Sequence, residues 1–374
     1  MKKNAGILGT LIVVAVGILS ILFGADLLQE FGLSDTSSGP NIQIPNLNQA
    51  PIPNEPADFY DIYFTNPTCP PEEERGGGID QILADSLREA EIRVDVAAFD
   101  LDAKPIIDAL IDLEEQGVQV QVVTDSDNAD LSGINRLRRN GISVVEDKRT
   151  GLMHNKFAVI DGRFTWVGSM NFTSNGTYCN NNNLVRFESP RLAANYTAEM
   201  DEMYINNSFG PGSPVNTPNE QLTIQGARIE NHFGPEKDIA PIIARTVARA
   251  QEAILFMAFS FTDQRVGEAI LGRADAGVAV QGVFEKVGAD TQFSYYPIMR
   301  DAGIPNLQVR LDNNPFIMHH KVIIIDWETV IFGSFNFSES ANSRNDENIV
   351  IIQDPTFASF FVEEFSTVWE ESGE

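Results

Sequence analysis

The chain has 374 residues, of which 43% are hydrophobic, so it is long enough to fold into two domains with sizeable buried cores. It carries 53 acidic residues against 26 basic ones, and its formal net charge is −27. A surface this acidic repels phosphate backbones and anionic membranes at long range. The composition therefore argues against a general nucleic-acid binder, although it leaves room for a local basic site.

The amino terminus carries an uncharged stretch of 19 residues, residues 6–24, directly after two lysines. A helix of that length, at about 1.5 Å per residue, matches the hydrocarbon core of a bilayer. A cleaved signal peptide is the alternative, but its apolar part is usually shorter, and Phe23 interrupts the small-residue cleavage pattern. We predict a transmembrane helix at about 6–24 within a membrane anchor of residues 1–33. The two lysines before this helix predict that the amino terminus lies in the cytoplasm and that the rest of the chain lies outside it. If the segment is cleaved, the rest of the chain is secreted.

Residues 34–58 are rich in Pro, Asn and Ser and show little periodicity, which predicts an extended or disordered linker. The chain has two cysteines, Cys69 and Cys179. If the body is exported to an oxidising compartment, this even number favours a disulfide between them. Two cysteines without a suitably spaced histidine cluster do not predict a zinc site, and we expect no metal.

After the linker, stretches with helical periodicity alternate with short β-branched stretches, and the same order occurs twice. The helices are predicted at 79–91, 106–116, 239–251 and 264–276, and the strands at 93–99, 118–124, 253–261 and 278–283. Two later apolar stretches, 156–160 and 321–325, are typical of central strands that are covered on both faces. This alternation predicts an α/β fold with a largely parallel sheet and helices packed on it.

The most informative feature is a pattern that also occurs twice: His-x-Lys, then Asp five residues after the lysine, then Gly-Ser-x-Asn. The copies comprise His154, Lys156, Asp161, Ser169 and Asn171, and His319, Lys321, Asp326, Ser334 and Asn336. The segments 154–190 and 319–355 align without a gap at an offset of 165, and upstream blocks align at an offset of 160. A repeat this long indicates two duplicated lobes and not a solenoid of short repeats.

These residue types suit attack on a phosphodiester. In a strand, side chains two residues apart share a face, so His154 projects with Lys156, and His319 with Lys321, whereas His320 points the other way. Lysine, serine and asparagine can hold the nonbridging oxygens, one neutral histidine can attack phosphorus, and the other can protonate the leaving alkoxide. This scheme requires no metal or other cofactor.

A histidine in such a role needs an acceptor for its second ring nitrogen. Glu347 lies 28 residues after His319, and Asn182 lies at the same distance after His154. We therefore expect Glu347 and Asn182 to orient the histidines, with Glu347 serving His319. A carboxylate stabilises imidazolium and an amide does not, so the two halves are not chemically equal.

The paired motifs resemble those of the phospholipase D superfamily, and the likeness runs from about residue 60 to the carboxyl terminus. The resemblance implies two duplicated lobes, 59–215 and 216–374, each a mostly parallel mixed sheet flanked by helices. It also implies that both motifs meet in one active site at the pseudo-twofold interface between the lobes.

The resemblance further implies that His154 is the nucleophile and His319 the general acid, although the expected support of Glu347 leaves His319 as an alternative nucleophile. The catalytic set is then predicted as His154, Lys156, Asp161, His319, Lys321 and Asp326, and the phosphate-binding set as Ser169, Asn171, Ser334 and Asn336. The motif aspartates have a role in the family that is more structural than chemical.

The predicted function is a metal-independent phosphodiesterase that hydrolyses phospholipid head groups through a phosphohistidine. The predicted anchor favours a lipid substrate, whereas the compact second lobe leaves an extracytoplasmic endonuclease acting on DNA or RNA as the alternative. A phosphatidyl-transferring lipid synthase and a non-catalytic scaffold rank below these two. Because one chain carries both motifs, a monomer is sufficient for a complete site.

Overall fold

The computed structural model describes residues 58–373. The predicted anchor, and the predicted linker up to residue 57, lie outside the described residues. Among residues 58–373, no helix combines the length and the apolar character that are needed to cross a membrane.

A seven-stranded sheet forms the centre of the first lobe. Its strands are β1 (Tyr60–Phe64), β2 (Arg93–Ala98), β3 (Gln119–Thr124), β4 (Val144–Glu146), β5 (Lys156–Ile160), β6 (Phe164–Gly168) and β7 (Asn183–Glu188). In space they lie in the order β1-β7-β6-β5-β2-β3-β4. The helices of this lobe are α1 (Ile79–Leu87), α2 (Lys104–Glu115), α3 (Ser132–Arg139), α4 (Ser174–Tyr178) and α5 (Pro190–Tyr204).

An eight-stranded sheet forms the centre of the second lobe. Its strands are β8 (Gln221–Ile224), β9 (Ala227–Gly234), β10 (Ala253–Ala258), β11 (Ala279–Phe284), β12 (Leu307–Leu311), β13 (Lys321–Ile325), β14 (Thr329–Gly333) and β15 (Glu347–Gln353). Their spatial order is β12-β11-β10-β13-β14-β15-β9-β8. The helices are α6 (Ala240–Val247), α7 (Gln264–Asp275), α8 (Tyr295–Arg300), α9 (Glu339–Ser343) and α10 (Pro355–Glu371).

Both sheets are mixed, but the prediction that they are mostly parallel is wrong. Among the described residues, the parallel pairs are β2–β3, β3–β4, β10–β11 and β11–β12, and the remaining strand pairs are antiparallel. The physical reason lies in the connections. β2, β3 and β4 are joined in sequence through helices, as are β10, β11 and β12, which permits parallel pairing, whereas β5–β6 and β13–β14 are joined by short turns that impose antiparallel pairing.

Three hydrophobic clusters hold the two sheets and their helices together. One outer cluster packs α1, α2 and α3 on the first sheet, and another packs α6, α7 and α8 on the second. The central cluster contains residues of both lobes, including Phe157, Phe187, Phe332, Phe357 and Phe361, all buried. Since this core spans the boundary between the lobes, burial of apolar area fixes the two sheets relative to each other.

The structure joins Cys69 and Cys179 in a disulfide with the Cα atoms 4.2 Å apart. The bond connects the segment after β1 to the end of α4, three residues before Asn182. The loop that it closes spans a sequence separation of 110 residues.

Candidate active site

The two His-x-Lys pairs lie at the same end of equivalent central strands. Lys156 is the first residue of β5 and Lys321 the first residue of β13, with each histidine two residues earlier. His154 and His319 are 6% and 7% exposed, and the two lysines are 0% and 1% exposed. Each lysine Nζ donates to the backbone carbonyl of the histidine in its own motif, at 2.7 Å for Lys156 and 2.8 Å for Lys321.

Each histidine is held by an acceptor from the other lobe. His154 Nδ1 lies 2.9 Å from Glu347 Oε2, and His319 Nδ1 lies 2.9 Å from Asn182 Oδ1. The sequence correctly identified both acceptors, but the expected pairing of Glu347 with His319 is wrong. Because both acceptors bind across the interface, the four residues form one site between the lobes.

Two short parallel backbone bridges between the lobes place each acceptor next to the histidine of the other lobe. Met153 pairs with Asp346, and at the pseudo-symmetric position Asn181 pairs with Met318. The amide of His154 donates to the carbonyl of Asp346 at 3.0 Å, and the amide of His319 donates to the carbonyl of Asn181 at 2.9 Å. Each acceptor directly follows a bridge residue, so the backbone register between the lobes sets both pairs.

The serines of the Gly-Ser-x-Asn segments position the two acceptors. Ser169 Oγ donates to Asn182 Oδ1 at 2.9 Å, and Ser334 Oγ donates to Glu347 Oε2 at 2.6 Å. A hydroxyl has a single proton, so in this arrangement neither serine can also donate to a phosphate oxygen. The assignment of the serines to the phosphate-binding set is therefore corrected: Ser169 and Ser334 position the two acceptors.

The asparagines of the same segments differ from the serines. Asn171 Oδ1 and Asn336 Oδ1 are buried and have no hydrogen-bond partner within residues 58–373. An unsatisfied buried amide oxygen costs free energy, and only a donor can satisfy it. The contact of these asparagines to a phosphate oxygen would therefore come from Nδ2 and not from Oδ1. Gly168, which begins the first Gly-Ser-x-Asn segment, must be glycine because a Cβ at this position would lie 2.2 Å from the carbonyl oxygen of Asn183.

The motif aspartates lie at the other end of their strands. Asp161 is seven residues after His154, roughly 20 Å further along an extended chain. Its carboxylate accepts the backbone N–H groups of Glu91, Ile92 and Arg93 at 2.8–2.9 Å. Asp326 binds residues 251–253 in the same way. The assignment of these two aspartates to the catalytic set is thus corrected: they tie β5 to β2 and β13 to β10.

Burial gives the site an unusual charge state. Desolvation lowers the pKa of His154 to about 4 and that of Lys156 to about 7. It also lowers the pKa of His319 and of Lys321 well below their ordinary values, and the nearby lysines lower the pKa of His319 further. A bound anion would oppose these shifts, because a nearby negative charge favours the protonated forms.

Two phenylalanines that sequence reasoning left without a role line the site. The ring of Phe99 lies 5.0 Å from the ring of His154 and 5.1 Å from Lys156 Nζ. Phe259 makes the matching contacts to His319, at 4.8 Å, and to Lys321, at 4.6 Å. Each ring restricts a histidine and offers a π face to a buried ammonium group. The feature of the sequence that could have identified these two phenylalanines is that Phe99 and Phe259 occupy equivalent positions in the repeat, at an offset of 160.

Two carboxylates that the motifs do not include hold the segments that lead into the histidines. Asp125 Oδ2 accepts the amide of Met153 at 2.8 Å, and Glu285 Oε2 accepts the amide of Met318 at 2.7 Å. These residues also match at an offset of 160. No three His, Cys, Asp or Glu side chains within residues 58–373 converge in a geometry that could hold a metal ion.

His320 points away from the site, as strand alternation predicts. It is fully buried between Asn183 and Glu364, with its ring nitrogens 2.9 Å and 3.0 Å from these partners. Its role is therefore in packing α10 against the sheet.

A domain model described as "Cardiolipin synthase, PLD-like domain" matches residues 83–204 and 243–369, which is well over half of the chain. The chain belongs to the phospholipase D superfamily. The mitochondrial cardiolipin hydrolase of Chlamydomonas reinhardtii is 34% identical over 122 residues, 32% of this chain and 55% of that protein. The phospholipase D of Rickettsia felis is 33% identical over 137 residues, 37% of this chain and 67% of that protein.

The solved phosphatidylserine synthase of Haemophilus influenzae matches over 83% of this chain and 86% of its own, with a TM-score of 0.64 and 14% identity. At that identity the likeness concerns the fold alone. It covers both lobes, whereas each of the two relatives above aligns with only about a third of this chain.

The first prediction concerns anion binding by the site lysines. Sulfate needs the ammonium forms, and the pKa of Lys156 in the empty site is about 7, so above pH 7 binding must be accompanied by proton uptake. Sulfate affinity should fall by about tenfold per pH unit above pH 7 for each lysine that takes up a proton. Calorimetric titration from pH 6 to pH 9 measures this, with Lys104→Met, a change of an exposed lysine, keeping the wild-type profile. A flat profile in the wild type would contradict the prediction.

The second prediction separates the motif aspartates from the chemistry. Asp161→Ala removes the acceptor of three backbone N–H groups that lie close to solvent, and it should lower the free energy of unfolding by about 1–3 kcal/mol. Asp275→Ala, at an exposed position whose side chain has no hydrogen bond or ion pair within residues 58–373, should change the free energy of unfolding by less than about 0.5 kcal/mol. Urea unfolding measures both values. Loss of sulfate binding in folded Asp161→Ala would show that Asp161 acts in the site after all.

Proposed function

We propose that this protein is a metal-independent phosphodiesterase that hydrolyses the head groups of phospholipids through a phosphohistidine. The reciprocal pairing of His154 with Glu347 and of His319 with Asn182 carries the proposal. It presents two oriented imidazoles, two buried lysines and two asparagine side chains in one cleft. These are the groups that in-line displacement at phosphorus requires.

In the first step, Nε2 of neutral His154 attacks phosphorus. The N–P bond forms as the bond from phosphorus to the leaving oxygen breaks, and the Nε2 proton of His319 passes to the departing alkoxide. Lys156 and Lys321 hold the nonbridging oxygens, and Asn171 and Asn336 donate to them. The bound phosphate raises the pKa of His319 from its low value in the empty site, so that this histidine can carry the proton.

In the second step, His319 takes a proton from water. The hydroxide oxygen bonds to phosphorus, the N–P bond breaks, and His154 returns to its neutral form. The products are a phosphatidic acid and the head-group alcohol. Each histidine ends the cycle as it began, so no further reactant is consumed.

The crossed pairs favour His154 as the nucleophile. A phosphorylated imidazole carries positive charge, and Glu347 is a carboxylate at its Nδ1, whereas His319 has only the neutral amide of Asn182. Carboxylate support stabilises the cationic intermediate, whereas an amide acceptor leaves the imidazolium readier to release its proton. The pairing therefore supports the assignment that the family resemblance implies.

Three exposed apolar side chains beside the site support a lipid substrate. Val287 and Phe293 are 67% and 68% exposed in the loop after β11, and Phe316 is 44% exposed three residues before His319. The two loops touch, since Lys286 Nζ donates to the carbonyl of Asn314. Exposed apolar groups on two loops that touch mark an interaction surface, and a lipid interface would bury them. The names of the matched relatives, cardiolipin hydrolase and phospholipase D, support the same substrate class.

We also propose that the body is extracytoplasmic and is held at the membrane by the predicted helix at about 6–24. The disulfide supports this location, because such bonds persist in oxidising compartments. Both motifs and both acceptors come from one chain, so a monomer is sufficient for the activity.

The third prediction tests the function itself. The full chain, in mixed micelles with phosphatidylcholine and EDTA, should release choline. His319→Asn should lower kcat by about 10²–10⁴, because it removes the general acid and base. His232→Asn, the matched change of a buried histidine in β9 outside the site, should retain activity.

A parallel digestion of single-stranded DNA distinguishes the alternative. Cleavage of DNA without choline release would overturn the lipid assignment and favour the endonuclease. Activity that is unchanged in His319→Asn would overturn the proposed site.

The fourth prediction identifies the nucleophile. Bis(4-nitrophenyl) phosphate has a leaving group that needs little protonation, so the first step survives in His319→Ala while hydrolysis of the intermediate lacks its base. This variant should give a burst of about one equivalent of nitrophenolate per chain. Mass spectrometry should then find the phosphoryl group on His154. A burst and a label on His319 in His154→Ala would reverse the two roles.

A further inference from the structure

A second histidine directly follows the general acid and points away from the cleft. His320 is 0% exposed, with Nδ1 2.9 Å from Asn183 Nδ2 and Nε2 3.0 Å from Glu364 Oε1. The reaction proposed above uses His319 and assigns no function to His320. Because a histidine can change its charge between about pH 5 and pH 8, this buried ring is placed to affect its catalytic neighbour.

The repeat shows which part of this arrangement the fold requires. At the offset of 165, the counterpart of His320 is Asn155, which is also 0% exposed. Asn155 Oδ1 accepts from Asn348 Nδ2 at 2.7 Å, and Asn155 Nδ2 donates to Glu199 Oε1 at 3.3 Å. These two partners are the counterparts of the two partners of His320. An asparagine thus makes the same two contacts in the first lobe, so packing does not require a histidine at this place in the second.

The contacts of His320 define where its proton lies in the neutral form. Nε2 donates to the carboxylate of Glu364, and Nδ1 is then an acceptor for Asn183 Nδ2. A second proton, on Nδ1, would place two donors against each other at 2.9 Å. The Asn183 amide must then turn and offer Oδ1, an atom that is buried and has no hydrogen-bond partner within residues 58–373. The charge of His320 therefore selects the orientation of the Asn183 side chain.

The side chain of Asn183 lies next to the group that orients the general acid. Asn183 directly follows Asn182, the acceptor of His319. Its backbone N–H donates at 3.1 Å to Ser169 Oγ, the hydroxyl that donates to Asn182 Oδ1. A turn of the Asn183 side chain is thus transmitted to the segment that holds His319.

The charges around His320 also couple its proton to that of the general acid. Glu364 of α10 contacts the ring of His320, and His319 and Lys321 flank it in the chain. β1 and β7, which pack on the same ring, contribute an aromatic and an amide side chain that do not titrate. Burial and the site lysines lower the pKa of His319, and a charge on His320 lowers it further. Protonated His320 thus opposes the proton that His319 needs in the first step.

The half of the site that carries the nucleophile differs at the equivalent place. Asn155 cannot take up a proton, and burial raises the pKa of its partner Glu199 well above the ordinary value, which favours the neutral carboxyl. Glu364 is only partly buried. Of the two equivalent places, the one with a histidine lies beside the group that gives and takes a proton in the reaction.

We propose that His320 is a positioning residue for the general acid His319 and that catalysis requires the neutral form of His320. This inference rests on the proposed function and adds a dependence on pH to its first step. Neutral His320 keeps the Asn183 side chain in place next to Asn182. A proton on His320 turns that side chain and makes His319 a weaker holder of its own proton.

Two substitutions of His320 in the full chain, in mixed micelles, test the positioning role. His320→Phe keeps a ring but neither nitrogen, and it should lower kcat for phosphatidylcholine by about tenfold or more at pH 8. His320→Asn copies the residue of the other lobe and should recover kcat to within about threefold of wild type. Single-turnover release of nitrophenolate from bis(4-nitrophenyl) phosphate needs little general acid, so its rate constant should stay within about twofold in both variants.

The dependence on pH separates this role from packing. The ratio of kcat/KM in His320→Asn to that in wild type cancels the titrations that both proteins share. With phosphatidylcholine this ratio should rise at least about fivefold from pH 8 to pH 5, because the variant cannot take up the inhibiting proton. It should stay constant within about twofold for His232→Asn. A constant ratio for His320→Asn would overturn the proposal.

Histidine NMR tests the same coupling without turnover. The chain has four histidines, so a sample labelled with ¹³C and ¹⁵N at histidine gives few signals, which single His→Asn variants assign. From pH 8 to pH 5, Nδ1 of His320 should take up a proton. His319 should titrate at higher pH in His320→Asn than in wild type, because the positive charge beside it is absent.

An unchanged titration of His319, or a His320 that gains no proton down to pH 5, would overturn the inference while leaving the proposed function intact. If wild type cleaves no phosphatidylcholine, the proposed function fails. The coupling between the two histidines is then upheld or overturned by the NMR titration alone.

Discussion

The exchange of acceptors between the lobes is the constraint on which the rest of the site depends. Glu347 crosses to His154 and Asn182 crosses to His319, so neither lobe contains a complete catalytic group by itself. The central hydrophobic core and the two parallel bridges hold the lobes in the register that these contacts require. Packing over the whole interface thereby fixes the positions of the two imidazole rings.

The duplication gives the two halves of the site the same arrangement. A few substitutions make the halves chemically different, because the reaction assigns a different role to each histidine. A phosphoryl transfer through an intermediate has one attacking group and one proton donor, and these roles suit different acceptors. Glutamate at 347 and asparagine at 182 divide the roles without changing the geometry, since both acceptors lie 2.9 Å from their histidine.

Local pattern was enough to predict the strands that begin at the motif lysines: β5 and β13 have the predicted bounds 156–160 and 321–325. It also identified both acceptors and the cysteine pair. It could not show which histidine each acceptor contacts. Each acceptor lies 28 residues after the histidine of its own lobe, and this spacing is the same whether the contact forms within a lobe or between the lobes. The prediction of a mostly parallel sheet was wrong because the pattern of β2–β4 and β10–β12, which are joined through helices, was extended to the remaining strands, which pair antiparallel. The role of Ser169 and Ser334 depends on where a single proton goes, which spacing does not reveal.

The buried lysines also affect how this fold can evolve. Within residues 58–373, Lys156 and Lys321 are enclosed without a carboxylate bonded to either ammonium group. Burial lowers the pKa of both, and the charge of Lys156 lowers the pKa of Lys321 further. Buried charges of this kind are often replaced by apolar side chains with a gain in stability. These two lysines thus make the protein less stable than its architecture permits. Selection for heat resistance would favour the loss of these lysines, and only selection for binding an anion retains them.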